Sequence, residues 1–493
     1  MASTELARNI IRDFIQHGIN EFVLSPGSRN APLSIALYEA KERGLVNLHV
    51  RIDERTAAFF ALGITKATKR PAVVVCTSGT AVANYYPAFL EAYHSDLPLM
   101  VLSADRPERL RKTGANQTTN QVNLFNCGYF YDVNENHSNY QLSANGPSHI
   151  NVQFDEPLIS DDKSDWLSDL ASDELITERY IQESFEVPAG KGIVIAGHDG
   201  LDAMEFAETL GLPLIAENPL SYPNAIAHAS LFSGALEVDW VIVFGRTTLS
   251  RSTNALIAKA KQVFVVDPRA AKVDPKRSAT KIFSCIPKIV GSAEKWQLRS
   301  DFISIDGWSE PAAAQCIAEN LPSGSALYVA SSRPIRDLEA FAKPRSGVEV
   351  FANRGLAGID GNLSTAIGIA SKRDCTYAVV GDLAFLHDLS ALVNQEAIKL
   401  KILVINNDGG GIFSTLPQAG VNGFETIFGT PHGRDIYEIA KSFGIQTTEI
   451  EDLKSLKNFM SPPKKFEVGI LQMPDRESNA KLIKDLAKRV NYR

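Results

Sequence analysis

The sequence has no feature that marks a secreted, membrane or nucleic-acid-binding protein. Its five cysteines are scattered without a Cys-x-x-Cys pair, so neither a disulfide framework nor a zinc ribbon is indicated. No apolar run approaches the roughly 18 residues that a membrane span needs, and the opening MASTELARNIIRDFIQHG is charged, unlike a signal peptide. Lys and Arg form no run and the net charge is -7, which argues against nucleic acid as a partner. We expect a cytoplasmic protein with reduced thiols and no membrane insertion.

What the sequence does contain is a long alternation of short apolar strands with helical segments. Its 493 residues, 44% of them hydrophobic, are enough for several packed domains of roughly 100–200 residues each. Leu6, Ile10 and Phe14 share one face of a first helix, and the strands EFVLS, AVVVC and LPLMVLS follow with helices between them. Strands that alternate with helices predict parallel sheets covered on both faces, which is an α/β fold.

The alternation falls into three blocks, which predict three tandem open parallel-sheet α/β domains. We place the first at residues 1–180, with a polar linker and an appended helix at about 135–188, a smaller middle domain at 181–305 and the last domain at 306–493. The middle strands are GIVIAG, LPLIAE, DWVIVFG and KQVFVVD, and the last are SALYVAS, VEVFAN, TYAVVGD, KILVIN and FEVGILQ. Because no Gly-x-Gly-x-x-Gly follows any of them, a flavin- or nucleotide-binding module is the weaker hypothesis.

Two polar residues follow neighbouring strands of the last block. Asp382 ends TYAVVGD, and Asn407 stands 25 residues later, after KILVIN, which suits one strand–helix–strand crossover. The carboxyl ends of such strands share one sheet edge, where ligands bind in open α/β folds. A carboxylate, an amide oxygen and a free carbonyl are ligands that Mg²⁺ or Ca²⁺ takes, and the glycines at 409–411 would let the backbone approach phosphate oxygens. Helix capping by the two side chains is the alternative.

Arginines also follow predicted strands, although the chain as a whole is acidic. Five of them lie in loops at strand ends: Arg29, Arg106, Arg251, Arg336 and Arg354. A guanidinium holds a carboxylate through two parallel hydrogen bonds, so this set favours a substrate that carries several carboxylates. An ordinary surface charge is the alternative for any single one of them.

Several long motifs resemble one branch of the thiamine-diphosphate enzymes. That superfamily has Gly-Asp-Gly followed later by Asn-Asn, and here Leu383 replaces the second glycine. The stretches SPGSRNAPLSIAL, DERTAAFFALG, TSGTAVAN, SADRPERL and GANQT in the first block are similar to the 2-succinyl-5-enolpyruvyl-6-hydroxy-3-cyclohexene-1-carboxylate synthase family of menaquinone biosynthesis. So are NRGLAGIDG, GDLAFLHDLSAL and INNDGGGIFSTLP in the last block. The resemblance is close in these two blocks and weak in the middle one.

The resemblance implies a fold, cofactors, a reaction and an assembly. In the fold, pyrimidine- and diphosphate-binding domains flank the middle domain. The enzyme would be a transferase that uses thiamine diphosphate with Mg²⁺ or Mn²⁺. It would decarboxylate 2-oxoglutarate and add the resulting succinyl carbanion to isochorismate by conjugate (1,4) addition. Because the glutamate and metal blocks of one site come from different subunits in this superfamily, a homodimer or homotetramer is expected.

The resemblance also gives roles to individual residues. Glu54, in DERT, matches the catalytic glutamate that bonds to the pyrimidine ring of the cofactor, whereas a helix N-terminal charge is the alternative. Ile359 matches the apolar residue that supports the bent cofactor. The metal ligands implied are Asp382, Asn407 and Gly409, with Gly381 and Leu383 beside the diphosphate.

Most of the implied substrate-binding residues are polar or cationic, and the apolar ones are expected near the carbon atoms that react. They are Ser28, Arg29, Arg106, Gln117, Arg251, Ser332, Arg336, Arg354, Ile412, Phe413 and Leu416. Arg251 aligns less closely than the others, because Ser250 stands where the family has a lysine. Neither His387 nor His432 is given a catalytic role.

Two other functions stay open on the sequence. Another thiamine-diphosphate-dependent 2-oxoacid decarboxylase or carboligase, such as an acetolactate synthase, would need fewer arginines and in some cases carries catalytic histidines. A catalytically dead homologue would be expected to have lost Glu54, Asp382 or Asn407, and all three are present.

Overall fold

The computed structural model describes residues 2–177, 180–200, 202–247, 249–269, 274, 276–394 and 397–493. Its three large sheets are parallel throughout these residues, and their strands alternate with helices. The predicted α/β class is therefore confirmed. No helix in the described part of the chain is both long enough and apolar enough to cross a membrane.

The first sheet has six strands in the order β2-β1-β3-β4-β6-β5. They are β1 (Glu21–Leu24), β2 (Asn47–Val50), β3 (Ala72–Cys76), β4 (Leu99–Asp105), β5 (Tyr129–Val133) and β6 (Ser148–Gln153). The accompanying helices are α1 (Ala2–Gln16), α2 (Ala31–Glu42), α3 (Glu54–Thr68), α4 (Thr80–Ala83) and α5 (Tyr86–Ser95). Helix α1 buries Leu6, Ile10 and Phe14 in the core of this sheet, as their spacing predicts, because residues three and four apart share one helix face.

The polar segment at 135–188 is not the linker with an appended helix that the sequence suggests. Strand β6 lies between β4 and β5 in the first sheet, and the described residues of this segment contain no helix. All six residues of β6 are buried, although several are polar. His149 Nε2 lies 2.8 Å from Ser103 Oγ, and Asn151 Nδ2 donates to Asp105 Oδ2 over 3.0 Å. Such hydrogen bonds allow polar residues to be buried in a central strand. The polar composition of SHINVQ therefore does not reveal that this segment is one.

The middle sheet has five strands in the order β12-β11-β10-β8-β9, and β7 pairs with β13. The strands are β7 (Ser184–Glu186), β8 (Gly192–Ala196), β9 (Leu214–Ala216), β10 (Trp240–Phe244), β11 (Gln262–Val266), β12 (Lys281–Phe283) and β13 (Lys288–Val290). Helices α6 (Ala203–Leu210), α7 (Ala229–Phe232) and α8 (Arg251–Lys259) belong to this region. The four predicted strands are present. The sequence does not predict β7, β12 and β13, because none of these three-residue strands contains more than two apolar residues.

The last sheet has six strands in the order β15-β14-β16-β17-β19-β18. They are β14 (Ser325–Val329), β15 (Val348–Phe351), β16 (Thr376–Gly381), β17 (Leu400–Asn406), β18 (Gln446–Ile450) and β19 (Glu467–Gln472). The helices are α9 (Glu310–Asn320), α10 (Arg333–Phe341), α11 (Asn362–Ala370), α12 (Asp382–His387), α13 (Ile436–Ser442), α14 (Leu453–Phe459) and α15 (Arg476–Arg489). Strands β16 and β17 pair up to Gly381 and Ile405, so both end at one sheet edge.

Short helical turns complete the described elements. The 3-10 turns are Glu108–Leu110, Pro219–Ser221, Ser233–Ala235, Leu389–Leu392 and Gly411–Thr415, and Glu425–Gly429 is a π-helical turn. Two of these, Gly411–Thr415 and Glu425–Gly429, follow β17. They form the backbone that surrounds the glycine-rich loop after that strand, where Gly410 N donates to Gly429 O over 2.7 Å.

Two compact units divide the chain, and each is built from separate segments. The first comprises Met1–Glu178, Gly355–Asp374 and His387–Ile398, and the second comprises Arg179–Arg354, Cys375–Leu386 and Lys399–Arg493. Within the first unit α11 crosses α3 closely: a Cβ on Gly63 would lie 2.2 Å from Thr365 O. Only glycine permits such an approach, and the crossing fixes the helix that begins at Glu54. The domain boundaries at 180 and 305 stay predictions.

Candidate active site

Glu54 is the first residue of α3, and its neighbours anchor the start of that helix. Asp53 Oδ1 accepts a hydrogen bond from Arg55 N over 2.9 Å, which caps the helix. Asp53 Oδ2 accepts a second bond from Ser390 Oγ over 2.6 Å, and Arg55 Nη2 donates to His387 O over 2.9 Å. The cap is therefore supplied by Asp53, and the half-buried Glu54 carboxyl takes no part in these bonds.

Two buried side chains, Tyr85 and Cys76, lie within electrostatic range of Glu54. Burial raises the pKa of the Tyr85 hydroxyl, and the charges of Cys76 and Glu54 raise it further. Burial also raises the pKa of the Cys76 thiol, with a smaller contribution from Glu54. The hydroxyl and the thiol thus stay protonated at neutral pH.

The Arg29 side chain is buried in the loop after β1. Its Nη1 donates to Phe154 O over 3.1 Å, and its Nη2 lies 3.2 Å from a carboxylate oxygen of Glu156. The Arg29 backbone N–H donates to Thr77 Oγ1 over 3.3 Å. Its Nε is buried and has no hydrogen-bond partner among the described residues, so one donor is left for an anion. Ser28, next to it, is exposed.

Arg106 and Gln117 belong to one loop that folds back on the TSGT turn. Arg106 Nε donates to Asn116 O over 2.8 Å, which places the guanidinium next to Gln117. Gln117 Nε2 donates to Ser78 O over 3.0 Å, and Ser78 Oγ donates to Gln117 O over 2.9 Å. Because the same turn also bonds to Arg29, the structure gathers Arg29, Arg106 and Gln117 at the carboxyl end of the first sheet.

Ile359 lies on a loop of the first unit that is fixed through its backbone. The buried Glu91 carboxylate accepts hydrogen bonds from Gly355 N over 2.8 Å and from Leu356 N over 2.7 Å. Asn362 Nδ2 donates to Ile359 O over 2.5 Å. The Ile359 side chain itself is 42% exposed, which is unusual for isoleucine and leaves an apolar surface for a ligand or a partner.

Asp382 stands where β16 ends and α12 begins, and it is 2% exposed. Its Oδ2 accepts hydrogen bonds from Asn407 N over 3.2 Å and from Gly409 N over 2.8 Å. Its Oδ1 accepts one from Leu383 N over 2.7 Å, and His432 Nε2 lies 3.3 Å from Oδ2. Burial raises the pKa of Asp382, whereas these hydrogen bonds lower it. Asp382 and Asn407, expected at one sheet edge, are thus in contact.

The Asn407 side chain is bonded on one side only within the described residues. Its Nδ2 donates to Glu310 Oε1 over 2.6 Å, whereas its Oδ1 is buried and has no hydrogen-bond partner there. Burial raises the pKa of Glu310 and the charge of Asp337 raises it further, while Asn407 and Arg333 lower it. A buried amide oxygen that accepts no hydrogen bond lowers the stability of a protein unless a bound ligand interacts with it.

Glycine backbone lies close to this oxygen. Gly409 has φ 133°, and a Cβ there would lie 2.1 Å from Gly429 O, so the loop requires glycine at this position. A Cβ on Gly381 would have no atom within 4 Å among the described residues, so the sheet edge in front of β16 is open. The edge therefore has room for a group that the Asn407 and Asp382 oxygens face.

These residues fit a divalent cation that carries a diphosphate. Asp382 Oδ1 accepts one hydrogen bond and keeps a second lone pair, Asn407 offers its buried Oδ1, and Gly409 adds a carbonyl on a tightly packed loop. All three are hard oxygen ligands of the kind that Mg²⁺ takes together with phosphate oxygens. The described residues contain no group of three or more His, Cys, Asp or Glu side chains that could hold a metal ion.

A cationic cluster lies at the start of α10 in the second unit. Burial lowers the pKa of the half-buried Arg336, and the charges of Arg354, Arg333 and Arg251 lower it further, whereas the charge of Glu339 raises it. Arg336 Nη1 donates to Ser332 O over 2.8 Å, which holds the guanidinium beside that residue. Arg354 is buried, whereas Arg251 is exposed at the start of α8. Since guanidinium groups repel one another, the cluster is suited to an anion that binds among them.

The apolar residues predicted near the reacting centre follow the glycine loop. Ile412 and Phe413 lie in the turn Gly411–Thr415, Leu416 comes directly after it, and all three are half-buried. The Phe413 ring packs 5.3 Å from the Phe428 ring, measured between centroids. This segment therefore offers an apolar surface next to the loop that contains Asn407 and Gly409.

Two residues that contact Asp382 and Asn407, namely His432 and Glu310, carry no signal that the sequence alone reveals. Glu310 opens α9 after a serine cap, so SEPAAA is typical of any helix start. His432 comes in a polar loop far along the chain from Asp382 and bonds to it in the structure. Only the fold brings these side chains to Asn407 and Asp382, because their separation in sequence follows no local period.

Comparisons with protein families match both ends of the chain. The family described as "Thiamine pyrophosphate enzyme, N-terminal TPP binding domain" matches residues 4–124, which include Glu54. The family described as "Thiamine pyrophosphate enzyme, C-terminal TPP binding domain" matches residues 336–461, which include Asp382 and Asn407. The chain is thus a thiamine pyrophosphate enzyme, and its two matched regions include Glu54, Asp382 and Asn407.

Comparisons with curated relatives and solved structures cover almost the whole chain. A 2-succinyl-5-enolpyruvyl-6-hydroxy-3-cyclohexene-1-carboxylate synthase from Nocardioides sp. is 39% identical over 94% of this chain and 93% of its own. The enzyme of that name from Thermobifida fusca is 36% identical over 91% of this chain and 92% of its own. The one from Lysinibacillus sphaericus is 32% identical over 99% of this chain and 98% of its own. The crystal structure of benzoylformate decarboxylase from Polynucleobacter necessarius matches with a TM-score of 0.68 at 16% identity, over 96% of this chain and 99% of that one, which supports the fold alone. The chain belongs to the 2-succinyl-5-enolpyruvyl-6-hydroxy-3-cyclohexene-1-carboxylate synthase family.

Proposed function

We propose that this protein catalyses the thiamine-diphosphate-dependent decarboxylation of 2-oxoglutarate and the conjugate addition of the four-carbon fragment to isochorismate in menaquinone biosynthesis. The observation that carries the proposal is the contact between Asp382 and Asn407 at an open sheet edge, in a chain of this family. When bound, thiamine diphosphate supplies the electron sink that lets a 2-oxoacid lose carbon dioxide. The protein supplies binding, orientation and proton transfer.

Glu54 is the proton-transfer residue of the proposal. Its carboxyl would share a proton with a pyrimidine ring nitrogen of the cofactor, since Tyr85 and Cys76 beside it stay protonated. The anchored start of α3 keeps the carboxyl in a fixed place, because both Asp53 and Arg55 are bonded to the segment 387–390. Ile359 would support the bent cofactor with its exposed side chain.

The metal would be Mg²⁺ or Mn²⁺, held by Asp382, the Asn407 amide oxygen and the Gly409 carbonyl. The donor set of hard oxygens and the buried Asn407 Oδ1 without a partner in the described residues support this assignment. Gly381 and Leu383 would lie along the diphosphate, since Gly381 faces open space. The cation would offset the phosphate charge and fix the tail of the cofactor.

The substrate carboxylates would bind to the two sets of arginines. 2-Oxoglutarate and isochorismate carry two carboxylates each, which suits Arg29 and Arg106 on the first sheet and the cluster around Arg336 on the last. The proposed contacts also include Arg251, Arg354, Ser28, Gln117 and Ser332. The segment with Ile412, Phe413 and Leu416 would exclude water from the carbon atoms, which favours loss of a carboxylate charge.

We further infer a cytoplasmic homo-oligomer, a dimer or tetramer, in which one chain contributes the Glu54 region and another the Asp382 region of each site. The support is the family's subunit arrangement and the division of the candidate residues between two sequence regions. A purified chain that proved strictly monomeric and fully active would contradict the shared site. Sedimentation of the active enzyme decides between these outcomes.

The substrate assignment is tested by product formation. The purified protein with thiamine diphosphate and Mg²⁺ is incubated with 2-oxoglutarate and isochorismate, and in parallel with pyruvate alone. We expect carbon dioxide release and a carboligation product in the first mixture and little turnover in the second. Turnover with pyruvate alone would contradict the menaquinone assignment and favour an acetolactate-type reaction.

A further inference from the structure

We propose that Glu310 is a positioning residue for the metal site, which holds the Asn407 amide with its oxygen directed toward the cation. The inference rests on the proposed function, because it assumes a divalent cation at Asn407. It adds a residue outside the motifs that carry the family resemblance. Glu310 lies before the region matched by the C-terminal cofactor-binding family, which begins at residue 336.

The contact between the two side chains is short and directional. Asn407 Nδ2 donates to Glu310 Oε1 over 2.6 Å, and Glu310 is 4% exposed, so water does not compete for the bond. Because Glu310 Oε1 accepts this bond, the Glu310 side chain holds the Nδ2 side of the amide. The opposite side, Oδ1, is buried without a partner among the described residues and is therefore left for the metal.

An asparagine amide needs such a partner because its two ends are nearly equal in shape. A rotation of about 180° at the amide would exchange oxygen and nitrogen and present two N–H donors, which repel a cation. In metalloproteins generally, the side chains that bind the metal are oriented by hydrogen bonds to neighbouring residues. Glu310 thus selects the metal-binding orientation of the Asn407 side chain.

Glu310 is itself held from several sides. Its backbone N–H donates to Asn479 Oδ1 over 2.9 Å at the start of α9, and Ser309 caps that helix. Arg333 Nε lies 3.9 Å from Glu310 Oε2, and the same guanidinium pairs with the buried Asp337. Contacts with Asn479 and Arg333 thus hold Glu310 in addition to its bond with Asn407.

A purely structural contact would not require a charge at this position. Burying a carboxylate is costly, and a neutral glutamine could also accept a bond from the Asn407 amide. Glu310, Asp337 and Asp382 are all buried carboxylates, and the charge of Asp382 acts on Glu310. Arg333 offsets part of this charge. A cation bound at the Asn407 oxygen would offset the charge of these buried carboxylates further.

The experiment measures metal affinity directly. Mn²⁺ is titrated into the full-length protein with saturating thiamine diphosphate, and free Mn²⁺ is followed by electron paramagnetic resonance. Glu310→Gln keeps the shape but can bond to either end of the Asn407 amide, so we expect the Mn²⁺ Kd to rise about 10- to 100-fold. Excess metal should restore thiamine diphosphate binding and leave the KM for 2-oxoglutarate unchanged.

The matched control is Gln315→Ala on the same helix. Gln315 also makes two buried hydrogen bonds, to Ile303 O over 2.7 Å and from Ile305 N over 3.0 Å, but it has no contact with the metal loop among those bonds. Its loss should lower the midpoint of thermal unfolding and leave the Mn²⁺ Kd unchanged. A merely structural role of Glu310 would produce the same pattern in Glu310→Gln.

The outcomes separate this inference from the proposed function. If the unchanged protein does not bind Mn²⁺ with thiamine diphosphate, the proposed metal site itself is wrong. If it binds Mn²⁺ and Glu310→Gln binds it equally well, the positioning role is wrong while the metal site stands. Failure of Glu310→Gln to fold would also overturn the inference, because the residue would then be needed for the fold and not for the cation.

Discussion

The first unit should lose folding stability as the pH rises, because the buried Asp388 must ionise, and Asp388→Asn should remove this loss. Asp388 is fully buried, and its carboxylate accepts hydrogen bonds from Ser364 N over 2.8 Å and from Ser364 Oγ over 2.9 Å. Its pKa is raised from 3.8 to about 6, because the effect of burial exceeds the lowering of the pKa by these bonds and by the charge of Arg55. An asparagine can keep both contacts, since its oxygen accepts from the backbone and its amide can donate to the hydroxyl.

The size and sign of the effect follow from the two pKa values. A pKa raised from 3.8 to about 6 makes ionisation in the folded state about 3 kcal/mol more costly than in the unfolded chain. The folded protein holds the proton more tightly, so the contribution of this group to stability is fully present below about pH 4 and is lost as the pH rises to about 6. At pH 7 the variant should therefore be more stable by up to about 3 kcal/mol.

Urea unfolding from pH 4 to pH 7 measures this difference. We expect Asp388→Asn and the unchanged protein to converge near pH 4 and to separate as the pH rises. A matched control is Asp452→Asn, because Asp452 is an exposed helix cap whose pKa is lowered by its bond from Ser455, so its effect lies below this pH range. A constant difference between Asp388→Asn and the unchanged protein, or a less stable variant at pH 7, would refute the reasoning.

Three substitutions test the candidate site. Glu54→Gln should keep metal-dependent cofactor binding but lower turnover by on the order of 10²-fold or more, measured as carbon dioxide release, and near-normal activity would contradict the proton-transfer role. Arg336→Ala should raise the KM for 2-oxoglutarate with the affinity for thiamine diphosphate unchanged, and an unchanged KM would remove Arg336 from the substrate site. Gly409→Ala should abolish cofactor binding measured by calorimetry, because its Cβ would lie 2.1 Å from Gly429 O, and normal binding would show that the loop accommodates it.

The sequence is sufficient to predict the strands that end at the candidate site. The apolar runs before Asp382 and Asn407 are continuous and bounded by glycine, so both strands and their shared edge follow from pattern and spacing. The loop with Gly409–Gly411 is equally evident, because only a close backbone approach requires so many glycines. Local signals of this kind do not depend on the rest of the fold.

Other parts of the fold depend on contacts distant in sequence. Strand β6 carries polar residues whose hydrogen-bond partners include Ser103 and Asp105 on β4 and Asp132 on β5, so SHINVQ read alone suggests a surface segment. Glu310 stands 97 residues before Asn407, and the bond between them exists only because the fold brings the start of α9 to the loop after β17. Such residues are predictable from the structure and not from a period in the sequence.

The central claim is that Asp382 and Asn407 bind thiamine diphosphate through a divalent cation. Calorimetric titration of the purified protein with thiamine diphosphate, in Mg²⁺ and again in excess chelator, tests it most directly, with Asp382→Ala measured alongside. We expect saturable binding of thiamine diphosphate in Mg²⁺, and no binding in excess chelator or to Asp382→Ala. Binding of equal strength in chelator, or no binding in Mg²⁺, would contradict it.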